Sequence, residues 1–69
     1  MLIHYDTKSD LLYLRFDSTV QIVTNRRIDE NIVLDIGEGE KLVGIEILDA
    51  SKQVQLEKLF PVDYHIQAA

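Results

Sequence analysis

Four residues with chemically useful side chains, together with one glycine, fall on one side of neighbouring predicted strands. Asp35 and Glu46 would face each other from adjacent strands, as a carboxylate pair for acid and base chemistry requires. Arg15 beside them would keep both carboxylates ionised. Gly44 would leave a gap into which a side chain of another chain fits. The set of interface or ligand candidates is Tyr13, Arg15, Asp35, Gly44 and Glu46.

Three interpretations of this group of residues stay open. The first is an ordinary solvated sheet face whose surface ion pairs contribute little to stability. The second is a dimer interface, and the third is a ligand-binding or active site. A catalytic pair needs a pocket and divided roles, and a small sheet with one helix offers little concave surface in a monomer.

Metal sites are not expected. Asp6 and Asp10 flank one turn, but their spacing does not fit a calcium loop, which needs oxygen ligands over twelve residues and a final bidentate Glu. Hydrogen bonds that shape the turn explain these carboxylates better. His4 and His65 are the two histidines, and each is expected at an independent surface or edge position. We therefore predict no metal and no cofactor.

Nucleophilic and phosphate-binding motifs are also lacking. The chain has no Cys, and Ser9, Ser18 and Ser51 lie in turn or cap contexts that already explain their hydroxyls. Gly37 and Gly39 alternate with acidic residues that would repel an anion, so they indicate a hairpin turn. No catalytic residue is assigned, and an enzyme is the less favoured interpretation.

The elements that must position the candidate residues are short strands. Alternating apolar residues and polar turn clusters predict strands over residues 2–5, 11–16, 20–28, 32–36 and 42–48. The turns hold only a few residues, whereas parallel crossovers need about a dozen or more. The fold class is therefore α+β, with a five-stranded antiparallel β-meander over residues 2–48 inside a single domain, residues 1–69.

A different pattern follows the last strand. Asp49 or Ser51 can cap a helix over about residues 50–59, which Pro61 would end. A strand is the alternative there, because Val54 alternates with polar neighbours. The tail, residues 61–69, fits either an edge strand or an arm laid on a neighbouring subunit.

The strands divide into two faces. The apolar face should form the core against the helix and contains Leu12, Leu14, Phe16, Ile32, Leu34, Ile36, Val43, Ile45 and Ile47. The mixed face, on the other side, contains Tyr13, Arg15, Val33, Asp35, Gly44 and Glu46. Burial of the large apolar side chains outweighs any surface charge effect.

Composition restricts the classes of function. A domain of 69 residues without Cys has a thin core and no disulfides, so packing against another copy or a partner is favoured. The net charge of −5 and pI near 4.7 argue against nucleic acid and favour a basic partner. The chain shows no secretory signal and no membrane-spanning run, so a cytoplasmic location is expected.

Two stretches of sequence carry a resemblance to a known family. The first is Tyr5-Asp6 with the segment Asp10 to Phe16, and the second runs from Val43 to Ser51. Over about residues 3–52 the chain resembles the short bacterial and archaeal domain-of-unknown-function family twenty-two eighty-three. The resemblance implies a compact β-rich fold and no assigned activity. Members of such families often lie beside putative toxin genes, which implies an antitoxin-like role.

Two hypotheses from different classes follow. The first is a non-enzymatic protein-interaction module, homo-oligomeric and antitoxin-like, with a basic protein as a further partner. The alternative is a small enzyme or ligand-binding protein whose site forms at a homo-oligomer interface from the residues of the mixed face.

Overall fold

The chain folds into a five-stranded antiparallel sheet in the computed structural model, which describes residues 1–68. Ala69, the last residue of the expected tail, lies outside the described residues. The predicted antiparallel pairing of five strands is confirmed. The strands are β1 (Leu2–Asp6), β2 (Leu11–Arg15), β3 (Thr24–Arg27), β4 (Ile32–Ile36) and β5 (Leu42–Ile47).

The order of the strands is not that of a simple meander. Across the sheet the order is β1-β2-β5-β4-β3, so the connection after β2 passes to the far edge and β5 returns to the centre. Side-chain polarity explains this order. A sequential meander would place β3, whose four residues are all exposed, in the middle of the sheet, between two neighbouring strands. The apolar strand β5, with two buried residues, takes that position instead.

β3 is also shorter than predicted. Residues 20–23 belong to the connection, not to the strand, and Val20 and Ile22 are among the exposed large apolar side chains. The β-branched residues at these positions predict a strand, and for residues 20–23 that prediction is wrong. The connection is fixed instead by Gln21, whose side-chain oxygen accepts a hydrogen bond from the Glu38 backbone N–H at 2.8 Å.

Buried side chains lie on both the apolar face and the mixed face of the sheet. On the apolar face Leu12, Ile36 and Val43 are buried, whereas Phe16 is 44% exposed. The other predicted core residues, which are Leu14, Ile32, Leu34, Ile45 and Ile47, are only half-buried. Two buried residues of the mixed face, Val33 and Asp35, were not predicted as core. The apolar face is therefore incompletely covered.

The short C-terminal helix explains the incomplete cover. The predicted helix over residues 50–59 is wrong in extent, because α1 spans only Ala50–Gln53. Val54 is extended, and a separate 3₁₀ turn follows at Leu56–Lys58. A β-branched residue and an apolar pattern without a compact helical stripe favour this break. Only Ala50 of α1 is buried.

Residues 62–68 form neither helix nor strand and are exposed, so within the described part of the tail the edge strand is not formed. None of the helices in residues 1–68 combines the length and apolar character needed to cross a membrane.

Candidate functional site

The five candidate residues of the mixed face lie together on the three central strands. Tyr13 of β2 is directly opposite Glu46 of β5. In the next row, Gly44 of β5 lies between Arg15 of β2 and Asp35 of β4. Residues opposite each other in antiparallel strands present their side chains to the same face. The antiparallel register thus creates one polar cluster from residues distant in sequence.

The gap above Gly44 is filled from within the same chain. A Cβ at this position would lie 2.8 Å from the Tyr13 Oη and 3.0 Å from the backbone oxygen of Leu14. The Tyr13 phenol therefore lies over Gly44 at a distance that no larger residue allows without rearrangement. The expectation that this gap receives a side chain of another chain is wrong, because Tyr13 occupies it.

Asp35 is the buried group of the cluster, with 6% of its surface exposed. The Asn25 side-chain amide donates a hydrogen bond of 2.6 Å to Asp35 Oδ1. The same Nδ2 donates a longer bond of 3.3 Å to Glu46 Oε2. Asn25 thus bridges the two carboxyl groups, which are diagonal neighbours rather than direct partners, since Glu46 is opposite Val33.

Asn25 was not among the predicted site residues. It pairs with Asp35 across β3 and β4, so the signal that identifies it is the register of this hairpin. The sequence pattern places Asn25 within the predicted strand over residues 20–28, but alternation without register does not show which residue it faces.

Asp35 contributes to a raised pKa in two neighbouring side chains, Glu46 and Tyr13. A hydrogen bond with Asp35, then desolvation, then the charge of Asp35 raise the pKa of the Glu46 carboxyl, while Arg27 opposes the rise. Burial, followed by the hydrogen bond to and the charge of Asp35, raises the pKa of the Tyr13 phenol, while Arg15 opposes that rise. The Glu46 carboxyl therefore keeps its proton to a higher pH than an ordinary glutamate does.

Arg15 does not have the role expected for it. Its Nε donates a hydrogen bond of 2.9 Å to the backbone oxygen of Asp17. The ion pair that the described residues form joins Arg26, not Arg15, to Glu40 at 3.1 Å. Both of these side chains are more than half exposed. Among residues 1–68 no ion pair joins Arg15 to Asp35 or Glu46, so the contact by which Arg15 would keep these carboxyl groups ionised is not formed.

A second polar group connects the first turn to α1, and we call it the Asp10 latch. It consists of Tyr5, Asp10 and Ser51. The Tyr5 hydroxyl donates a bond of 2.6 Å to Asp10 Oδ1. The Ser51 hydroxyl donates a bond of 2.6 Å to Asp10 Oδ2, and the Ser51 backbone N–H donates to Oδ1 at 3.0 Å. The Ala50 N–H donates to the Asp10 backbone oxygen at 2.9 Å.

The latch replaces a local helix cap. Neither Asp49 nor Ser51 caps α1 as predicted, since Asp49 occupies the N-cap position with no side-chain hydrogen bond. Asp10 instead satisfies the first free N–H groups of the helix from a distance of 41 residues along the chain. The hydrogen bonds from Ser51 and then Tyr5 lower the pKa of the Asp10 carboxyl.

The other carboxylate of the first turn follows the prediction. Asp6 Oδ1 accepts a hydrogen bond of 2.9 Å from the Lys8 backbone N–H, as an Asx turn requires. His4 on β1 and His65 in the tail are both exposed, which confirms their independent positions. Within residues 1–68 no group of three or more His, Cys, Asp or Glu side chains is placed to hold a metal ion.

A cavity of about 250 Å³ lies at one corner of the sheet. It is lined by Met1, Leu2, Arg15, Phe16 and Ser18. Arg15 is the only one of these residues that also belongs to the set of site candidates.

The last described segment has an alternating apolar pattern, and we call residues 60–66 the C-terminal arm. Its large apolar side chains are exposed by 51% to 81%. They are Phe60, Val62, Tyr64 and Ile66. Asp63 and His65 lie between them and are exposed as well.

The comparison with known proteins found a match to one family model. The model of the family described as "Protein of unknown function (DUF2283)" matches residues 2–51, which include all five strands and the whole Asp10 latch. No curated protein and no solved structure matches the chain. Since the matched region covers more than half of the sequence, the chain belongs to DUF2283, a family of proteins of unknown function.

Proposed function

We propose that this chain is a non-enzymatic protein-interaction module that binds a basic protein through its C-terminal arm, as an antitoxin binds its toxin. The observation that carries the proposal is the arm itself. Four large apolar side chains at alternate positions stand in water, with exposed fractions from 51% to 81%. Contiguous apolar surface of this kind on a small protein marks a site of interaction.

The alternation of the arm suits binding in an extended conformation. In a strand, successive side chains point to opposite sides. Val62, Tyr64 and Ile66 would then face a partner together, while Asp63 and His65 face away from it. The unpaired backbone of such a segment can add to the edge of a partner's sheet, and the alternate side chains then give specificity.

Energetics favour an arm that becomes ordered only in a complex. Complete burial of one large apolar side chain contributes about 1.5–3 kcal/mol, and fixing the backbone of one residue costs about 1–2 kcal/mol. A segment in which every second residue is apolar therefore does not order itself alone. A partner surface that also supplies backbone hydrogen bonds shifts that balance toward an ordered arm.

Charge supports a basic partner. The chain carries a net charge of −5, and the carboxylates of Glu57, just before the arm, and Asp63, within it, are exposed. An acidic surface accelerates encounter with a basic protein and disfavours acidic competitors.

The geometry of the mixed face supports this proposal over an enzyme or a ligand site at a subunit interface. Asp35 is nearly fully buried and already accepts a hydrogen bond from Asn25. Tyr13 fills the space above Gly44. A reacting substrate needs a reachable base and an open volume beside it, and the side chains of the cluster occupy that volume themselves.

The test begins with the genes beside this chain's gene. The proposal expects one of them to encode a small basic protein, which is then co-expressed with the chain. Two matched variants are compared, Tyr64→Ser/Ile66→Ser on the apolar side of the arm and His65→Ser/Gln67→Ser on its polar side. The wild type and the polar-side variant should co-elute with the basic protein, and the apolar-side variant should elute separately. Equal binding by both variants, or separate elution of the wild type, would contradict the proposal.

A further inference from the structure

The two edges of the sheet differ in how well they are protected. β3 carries adjacent arginines, and the Arg27 side chain folds onto the backbone oxygens of Asp29 and Glu30. Its neighbour Arg26 pairs with Glu40. Charged side chains on an edge strand prevent the pairing of edges between molecules. β3 is therefore a protected edge.

β1 has none of these protective features. Its sequence, Leu2–Asp6, contains no Lys, Arg or Pro, and its pairing with β2 runs through all five residues without a register shift. The outer side of β1 has no partner strand in the sheet. An unprotected edge of this length is a template for another strand.

We propose that β1 is the seam of a homodimer, in which the β1 strand of a second copy pairs antiparallel with it about a twofold axis at His4. The two five-stranded sheets would join into one continuous sheet. A twofold interface brings the same surface of each copy together, so β1 must be complementary to itself. This inference is independent of the basic partner and of the C-terminal arm.

The sequence of β1 meets the requirement of self-complementarity. With His4 opposite His4 of the second copy, Ile3 falls opposite Tyr5, and Leu2 falls opposite Asp6. Ile3 and Tyr5 belong to the apolar face, since they pair with Leu14 and Leu12. An aromatic residue opposite a β-branched one is a favourable cross-strand pair. The apolar faces of the two copies would thus continue across the seam.

Charge on the mixed face fits the same register. Arg15 is opposite Leu2 within one copy, and Asp6 of the second copy would lie on the other side of that leucine. Adjacent strands are about 4.8 Å apart, so the long Arg15 side chain can reach over Leu2 toward this carboxylate. The symmetry gives two such pairs. They place opposite charges together at the seam of a chain whose net charge is −5.

The corner cavity adds apolar surface next to the seam. Three of its lining residues, Met1, Leu2 and Phe16, are 70%, 57% and 44% exposed. They lie at the end of β1 at which the last residues of the second copy's β1 would arrive. Covering them would contribute hydrophobic free energy in addition to the backbone hydrogen bonds of the seam.

Cysteine cross-linking tests the register directly, because the chain has no Cys of its own. Residues directly opposite in antiparallel strands have Cα atoms about 4.5–5.5 Å apart, within the range of about 4.4–6.8 Å that a disulfide allows. His4→Cys should form a disulfide-linked dimer under mild oxidation. The matched control on the other edge, Thr24→Cys, should stay monomeric on a non-reducing gel. Equal cross-linking of both variants, or none for His4→Cys, would overturn the seam.

Sedimentation equilibrium of the unmodified chain is the second test. The wild type should be a dimer, and His4→Lys should weaken it by about 100-fold or more, because like charges meet at the axis. The control His65→Lys adds the same charge elsewhere and should leave the dimer intact. Mixing His4→Lys with His4→Glu should restore a dimer. Circular dichroism establishes that these variants, changed at exposed positions, remain folded.

Two results would overturn the seam in these measurements. One is a wild type that stays monomeric, or a His4→Lys variant that dimerises as the wild type does. The other is dissociation of the dimer by the arm variant Tyr64→Ser/Ile66→Ser, which would place self-association on the arm. A failure to bind the basic protein would leave the seam unaffected.

Discussion

Residues 2–51 pair their polar groups and bury apolar side chains within the chain. Residues 52–68 leave most of theirs exposed to solvent. In the first region the strands form a continuous antiparallel ladder, and the Asp10 latch ties the start of α1 to the first turn. In the second region one 3₁₀ turn precedes a segment that is exposed at every position from residue 60 to residue 68. The match to the DUF2283 family ends with the first region.

This difference separates folding from recognition. The strand pairing of the sheet and the side-chain hydrogen bonds of the latch involve no residue beyond Ser51. The C-terminal arm holds apolar side chains that the sheet does not bury. Changes at the buried positions of the first region should therefore alter stability, and changes in the C-terminal arm should alter binding of the basic protein.

The largest expected effect is on the core of the first region. Leu12 is 1% exposed, so Leu12→Ala should lower the free energy of unfolding by about 2–5 kcal/mol, measured by urea denaturation. Val62→Ala in the arm is the matched control and should stay within about 0.5 kcal/mol of the wild type. A control as destabilising as Leu12→Ala would show that the arm is part of the fold.

The contact between Tyr13 and Gly44 gives the next effect. Gly44→Ala should destabilise the sheet by about 1–3 kcal/mol, because the new Cβ crowds the Tyr13 hydroxyl and the Leu14 carbonyl. Adding Tyr13→Phe removes the hydroxyl and should recover part of that loss in a double-mutant cycle. Strict additivity of the two substitutions would contradict the contact.

The Asp10 latch should have a smaller effect that depends on pH. Its hydrogen bonds lower the pKa of Asp10, so its stabilisation is present above the ordinary carboxyl pKa and is lost as the pH falls through the lowered value. Asp10→Asn should destabilise the chain near neutral pH, by less than Leu12→Ala, and should flatten the acid side of the stability profile. The control Asp29→Asn changes an exposed acid and should retain that slope.

Glu46 should show the opposite sign. Its pKa is raised in the folded chain, first by the hydrogen bond with Asp35, so the folded state favours the protonated carboxyl. The stability from this group is present at low pH and declines as the pH rises from the ordinary carboxyl pKa to the raised one. Carboxyl NMR shifts during titration measure the effect directly. A Glu46 carboxyl that titrates below its ordinary range would contradict the raised pKa.

These contrasts also show what the sequence could predict. Alternation identified all five strands and the two faces, because side-chain period is a local property. Strand order and the end of β3 depend on which strands pair over long distances, and β-branched Val20 and Ile22 look like strand residues although they lie in a connection. The helix was predicted in the right place but too long, and its first N–H groups are satisfied by Asp10, not by the adjacent sequence.

For the candidate site, the grouping of Tyr13, Asp35, Gly44 and Glu46 followed from the same alternation. The position of Asn25 did not, because it depends on the register between β3 and β4. The filling of the gap above Gly44 by Tyr13 depends on a rotamer, which no sequence pattern specifies.

The most direct test of the separation between folding and recognition is amide hydrogen exchange of the full chain, alone and mixed with the small basic protein that the proposal expects a neighbouring gene to encode. In the chain alone, amides of β4 and β5 should exchange slowly, and those of residues 62–66 should exchange freely. On mixing, residues 62–66 should gain protection while β4 and β5 stay unchanged. Arm amides already protected in the chain alone, or unchanged by the partner, would contradict the account.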